Sequence, residues 1–166
     1  MKILLTGSSK GIGFNIANTL INEGHDIALH YNKNKSSLNN LIKDSKTNSF
    51  IIQSDLSDTN QIKDLVTNTI DNLSFPDCII NNAGIAESAD ISINFERWNE
   101  LFDRTIDVNL KAPSLIFKEL IKYKRANNIK SRLRFINIAS RAAFRGEQED
   151  YICLLYTSPS PRDGTK

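Results

Sequence analysis

The sequence predicts a doubly wound α/β fold, and two observations carry that expectation. Five short apolar runs alternate with longer segments whose apolar residues recur at helical spacing. Such alternation is what strand–helix–strand units around a parallel sheet require. The first run also passes directly into a glycine-rich turn, GSSKGIG at residues 7–13, which then opens a helix-spaced segment.

Taken in order, residues 2–6 (KILLT) form a run apolar in its middle, as expected of a strand covered on both faces. Phe14, Ile16, Ala17, Leu20 and Ile21 then share a helical face, and Gly24 ends that helix. Residues 26–31 (DIALHY) read as the second strand, 35–43 as a short helix and 50–54 (FIIQS) as the third strand. Asp58 is placed to cap a helix carrying Ile62, Leu65, Val66, Thr69 and Ile70 on one face. Residues 77–81 (DCIIN) give the fourth strand, 95–124 a long helical stretch and 133–138 (LRFINI) the fifth strand. Trp98, with Phe95, Leu101 and Phe102 nearby, reads as a core anchor.

Composition narrows the function classes. The chain has 166 residues, 40% hydrophobic and 24% charged, which fits one folded domain and argues against wholesale disorder. A net charge of +2 gives no reason to expect a nucleic-acid or membrane partner. No apolar run approaches the ~20 residues of a spanning helix, and the N-terminus does not read as a signal peptide. Two cysteines, Cys78 and Cys153, make neither a disulfide framework nor a metal cluster, so a cytoplasmic setting is expected.

The glycine turn permits close approach of backbone to a diphosphate at a helix N-terminus. Its spacing, G-x-x-x-G-x-G, is not that of a nucleoside-triphosphate loop, because Ile12 stands where the second glycine of that motif would fall. Four further motifs follow it: Asp55-Leu56, Asn81-Asn82-Ala83-Gly84, Asp107-Val108-Asn109-Leu110 and Ile136-Asn137-Ile138-Ala139-Ser140. In this order and spacing, over residues 1 to about 152, the chain resembles the short-chain dehydrogenase/reductase family. The resemblance implies a Rossmann-type sheet with five strands present of an expected seven. It also implies an NAD(P)-dependent oxidoreductase that moves a hydride between cofactor and a carbonyl or alcohol, with a 3-oxoacyl reductase as one form.

By that resemblance Gly7, Ser9, Lys10, Gly11 and Ile12 contact the cofactor's phosphates and adenosine half. Asp55 and Leu56 flank the adenine, and Asn82, Ala83 and Gly84 line its ribose. An NAD site usually places an acid about 20 residues beyond the glycines. Here the end of the second strand reads HYNKNK at residues 30–35 and contains none. Lys10 and Lys33 can attract a 2′-phosphate as point charges and Asn32 can donate to it, so NADP(H) is preferred over NAD(H).

Among catalytic groups, the resemblance makes Ser140 the residue that positions the carbonyl and Asn109 a member of a proton relay. Pro113 lies four residues after Asn109 and lacks an N–H, so a kink that frees the Asn109 carbonyl for an ordered water is expected. The family's Tyr-x-x-x-Lys pair is not matched. Its tyrosine would fall 13 or 14 residues after Ser140, where Cys153 and Leu154 stand, and neither Tyr151 nor Tyr156 has a lysine four residues on.

The run CLLYTSPSPRD at residues 153–163 resembles a translated sequencing-library adapter. The expectation is therefore a native, incomplete dinucleotide-binding domain over residues 1–152 and a non-native or disordered tail over 153–166. The chain as it stands is expected to be catalytically inactive, with an exposed apolar edge at the fifth strand that invites aggregation. The intact protein is expected to form a dimer or tetramer through the helix carrying Leu110 and Phe117. A dinucleotide-binding sensor without catalysis, or a plain α/β scaffold, are the competing readings.

Overall fold

Each apolar run becomes a strand, and the alternating side chains of the first four are divided between two cores. In the computed structural model, which describes residues 1–139 except 44, 88, 89 and 91, β1 spans Lys2–Leu5 and is followed by α1 (Gly11–Asn22) and β2 (Asp26–Tyr31). Next come α2 (Ser36–Lys43), β3 (Phe50–Gln53), α3 (Thr59–Leu73) and β4 (Cys78–Asn81). The chain continues through α4 (Phe95–Ile106), a π-helical turn (Asp107–Lys111), α5 (Ala112–Ala126) and β5 (Arg134–Asn137). All four strand pairings are parallel and the order is β3-β2-β1-β4-β5.

Ile3 and Leu5 of β1 pack with Ala17 and Ile21 of α1 and Leu38 of α2 on one face. Leu4 points the other way, to Ile62 and Leu65 of α3 and Ile116 and Leu120 of α5. Each such buried leucine or isoleucine contributes roughly 1.5–3 kcal/mol by leaving water, so both faces must be covered for the sheet to hold. α4 adds a small satellite of Leu101 with Ile93, Trp98 and Phe102. Trp98 is thus half-buried in that satellite rather than an anchor of either main core, and Phe95 is exposed.

The cap at Asp58 forms as expected: its carboxylate accepts from the backbone N–H of Asn60 at 2.8 Å and of Gln61 at 3.4 Å. The helical stretch from residue 95 is not continuous. At its centre the Ala112 N–H bonds back to the Asp107 carbonyl, five residues away. Pro113 explains the break, since it has no N–H with which to continue the α-helical ladder. β5 lies at one edge of the sheet, and Ile136 and Ile138 are exposed there. Among the described residues no helix is long and apolar enough to cross a membrane, and no group of three acidic, histidine or cysteine side chains could hold a metal ion.

Strand order reverses between β1 and β4: the chain first builds outward through β2 and β3, then returns to the other side. In open parallel sheets the crevice beyond the carboxyl ends of the strands at such a reversal is where ligands bind. The turns leaving β1 and β4 therefore position the candidate site.

Candidate functional site

Thr6 prolongs β1 by one residue, its N–H bonding the Ile80 carbonyl at 3.0 Å. Its buried hydroxyl accepts from the N–H groups of Asn82 and Ala83, each at 3.1 Å. In return the Asn82 amide donates to the carbonyls of Thr6 at 3.1 Å and Gly7 at 2.9 Å. The exits of β1 and β4 are thus laced together by one hydroxyl and one amide.

Two glycines make this lacing possible. A Cβ on Gly7 would lie 2.8 Å from Ala83 Cα, and one on Gly13 would lie 2.1 Å from the Gly7 carbonyl oxygen and 2.4 Å from Asn82 Nδ2. The start of α1 is drawn tightly against the turn as a result. No side chain caps α1 at Lys10 and its first turn carries no acid. The first intrahelical N–H is that of Phe14, bonded to the Lys10 carbonyl at 3.2 Å, so the N–H groups of Gly11, Ile12 and Gly13 have no acceptor within the helix. A Cβ on Gly11 would project into open space, and the Ile12 side chain is 64% exposed. Uncapped donors, helix-dipole charge and an open glycine face together fit an anion such as a diphosphate. By contrast, α3 and α4 have their own caps in Asp58 and Asn94.

His30, near the end of β2, supports the turn from below. Its Nδ1 accepts from the Gly7 N–H at 3.0 Å, and its Nε2 lies 3.0 Å from the Ser54 carbonyl oxygen. Burial pushes its pKa below the ordinary imidazole value, opposed by the Ser54 bond and the Asp55 charge. Ser8 is buried and directs both N–H and hydroxyl to the His30 carbonyl. The Ser9 carbonyl accepts from Ser37 at 2.6 Å, which brings the start of α2 to the glycine turn.

The remaining sequence-derived residues fall around this centre. The Asn32 carbonyl accepts from Gln53, and Lys10 and Lys33 are exposed. Hydrogen bonds from the Ser57 N–H and hydroxyl hold the Asp55 carboxyl below the usual carboxylate range, with the Arg104 charge adding to them. Leu56 is 4% exposed and packs in the core with Leu4 and Ile62. Beyond Gly84, Asn109 clamps the backbone of Ile85: its Oδ1 accepts from the Ile85 N–H at 2.9 Å and its Nδ2 donates to the Ile85 carbonyl at 2.8 Å. Asn109 sits within the π-helical turn, which brings it to the loop leaving β4. Ser140, Tyr151, Tyr156 and the tail over 153–166 lie outside the described residues.

The structure therefore joins Gly7, Asn82 and Ala83 in one network and sets Asn109 beside Gly84, while among the described residues no hydrogen bond or ion pair links Asn32 or Lys33 to the glycine turn. Thr6, Ser8, His30, Ser37 and Ser54 belong to the site without having been singled out from sequence. Ser8 is marked by its place in the GSSKGIG turn, while Thr6 and His30 show only as polar residues at the ends of apolar strands.

Comparison with known proteins agrees with this geometry. The 3-oxoacyl-[acyl-carrier-protein] reductase of Staphylococcus aureus is 31% identical over 111 residues, covering 65% of this chain and 44% of that protein. An uncharacterized oxidoreductase of Escherichia coli is 31% identical over 155 residues, covering 90% of this chain and 61% of that protein. The chain thus spans between about two fifths and three fifths of these relatives. The structure of the alternative dihydrofolate reductase 1 FolM of Brucella suis, in complex with NADP, superposes with a TM-score of 0.79 at 23% identity, covering 95% of this chain and 64% of that one. The family model described as short chain dehydrogenase matches residues 1–151. With the glycine turn, the strand reversal and this match in agreement, the chain belongs to the short-chain dehydrogenase family.

Proposed function

We propose that this chain binds NADP(H) at the crevice between β1 and β4, and that the intact protein transfers a hydride between that cofactor and a carbonyl or alcohol substrate, with 3-oxoacyl thioesters the first class to test. The observation that carries the reading is the uncapped N-terminus of α1 set against the Gly7–Gly13–Asn82 interlock. The bound cofactor supplies the hydride. The chain's own residues bind and orient: the N–H groups at Ser9, Lys10, Gly11 and Ile12 face the diphosphate, and Asp55 with the Leu56 backbone borders the adenine. Asn82, Ala83 and Gly84 line the ribose. Asn32 and Lys33 sit at the end of β2, where no carboxylate opposes a 2′-phosphate. The Asn109 side chain is fully used on Ile85, which leaves its backbone carbonyl as the group to hold a relay water, and Ser140 orients the substrate carbonyl. The similarity to a 3-oxoacyl reductase and to a fold neighbour solved with NADP supports the substrate class and the cofactor. Self-association of the intact protein through the π-helical turn and α5 is supported by exposed Leu110 on the former and Phe117 on the latter.

NADPH is expected to raise the melting temperature of the 166-residue chain more than NADH does. At a hundredfold excess over Kd the stabilisation is about 2.7 kcal/mol. A larger shift with NADH reverses the cofactor preference, and no shift with either defeats the reading. Because no Tyr-x-x-x-Lys pair follows Ser140, carbonyl-dependent oxidation of NADPH by this chain is expected at background, and turnover above it overturns that expectation.

A further inference from the structure

We propose that His30 is a positioning residue for dinucleotide binding: its neutral ring ties the glycine turn to the end of β3, and protonating it releases that turn and weakens the cofactor's grip. The inference rests on the dinucleotide reading above.

The geometry fixes the tautomer. The Gly7 N–H can only donate and the Ser54 carbonyl can only accept, so Nδ1 must carry the lone pair and Nε2 the proton. A second proton, on Nδ1, would point one N–H at another across 3.0 Å. Gly7 cannot retreat from that conflict cheaply. It sits so near Ala83 that even a Cβ on it would lie 2.8 Å from Ala83 Cα, and its carbonyl is held by Asn82 at 2.9 Å. The His30 carbonyl also receives both Ser8 bonds, so strain at the ring is felt along residues 7–8, next to the uncapped donors of α1.

One charged group acts directly on the ring, the Asp55 carboxylate. β1 and its turn present Thr6, Gly7 and Ser8, with Lys10 exposed further along. At the start of α3 stand Gln61 and Ile62. Asp55 directly follows Ser54, and the charges of Arg104 and Asp58 act on it in turn. Asp55 favours the imidazolium, but burial of a ring only 2% exposed outweighs it and lowers the pKa below 6.5. The sign follows: the arrangement is intact above pH 6.5 and is lost as pH falls from there through the lower folded value.

The test has two arms on the full chain. In the first, ¹⁵N NMR of the ring should show proton on Nε2 alone near neutral pH, and acidification should shift the Gly7 amide and the ring nitrogens along one curve. A proton on Nδ1, or a Gly7 amide indifferent to that titration, overturns the proposal without any ligand. In the second, Kd for NADPH and for NADH is measured at pH 7.5 and 5.5 in the wild type and in His30→Asn, whose Oδ1 can still accept from Gly7 but cannot be protonated. The wild type is expected to weaken at the lower pH, by less than about tenfold because the ring titrates below 6.5, while the wild-type-to-variant ratio changes with it, which removes any titration of the ligand itself. A ratio that stays constant with pH overturns the role of His30. Absence of binding at every pH instead defeats the dinucleotide reading.

Discussion

Gly13→Ala is expected to destabilise the chain by about 3 kcal/mol and to abolish NADPH binding. Two opposing effects set the sign. Alanine inside a helix is favoured over glycine by up to about 1 kcal/mol, and Gly13 lies in the first turn of α1. Against this, the added methyl would sit 2.1 Å from the Gly7 carbonyl oxygen and 2.4 Å from the Asn82 amide. Neither neighbour can yield alone, because the two are bonded to each other at 2.9 Å. Overpacking of this kind costs about 1–3 kcal/mol, occasionally more, so the clash wins. Relief requires α1 to move away from the turn, which displaces the uncapped N–H groups that the ligand needs. Urea unfolding and NADPH titration measure the two consequences separately. A variant as stable as the wild type that still binds would show that the interlock of Gly7, Gly13 and Asn82 is not what shapes the site.

Much of this architecture was legible because it depends on local patterns. The run DIALHY gave β2 its bounds to the residue, since a strand buried on both faces is mostly apolar between the turn residues that flank it. Asp58 was readable as a cap because its partners are two and three residues away. The glycine turn and the Asn-Asn-Ala-Gly turn were likewise readable one at a time. What joins them was not, because Thr6 and Asn82 are 76 residues apart and meet only once β1 pairs with β4. His30 was hidden for the same reason: within its strand it is one polar residue in an apolar run, and its partners Gly7 and Ser54 come from two other strand ends. Leu56 shows the converse. Its motif marked it for the crevice, while its side chain turned into the core beside Leu4 and Ile62. Pro113 was legible as a disruption, but the form of the disruption, a π-helical turn that carries Asn109 to Ile85, needed the loop after β4 to be in place.

Thr6→Val should cost about 2 kcal/mol and weaken NADPH binding, with Thr6→Ser restoring most of both. Valine keeps the shape and the β-branching that suit a strand, so packing changes little. What it removes is the oxygen that accepts from the N–H groups of Asn82 and Ala83. Each backbone donor left without a partner costs about 1–3 kcal/mol when buried. These two are only half-buried, and water reaching them offsets part of that. Serine retains the acceptor and loses one methyl, worth about 0.8 kcal/mol. The expected order of denaturation midpoints is therefore wild type, then Thr6→Ser, then Thr6→Val, with NADPH affinities in the same order. If the hydroxyl served only to fill space, valine would match the wild type and serine would be the weaker variant. The order of these two substitutions thus decides whether the exits of β1 and β4 are held together by hydrogen bonds or by packing.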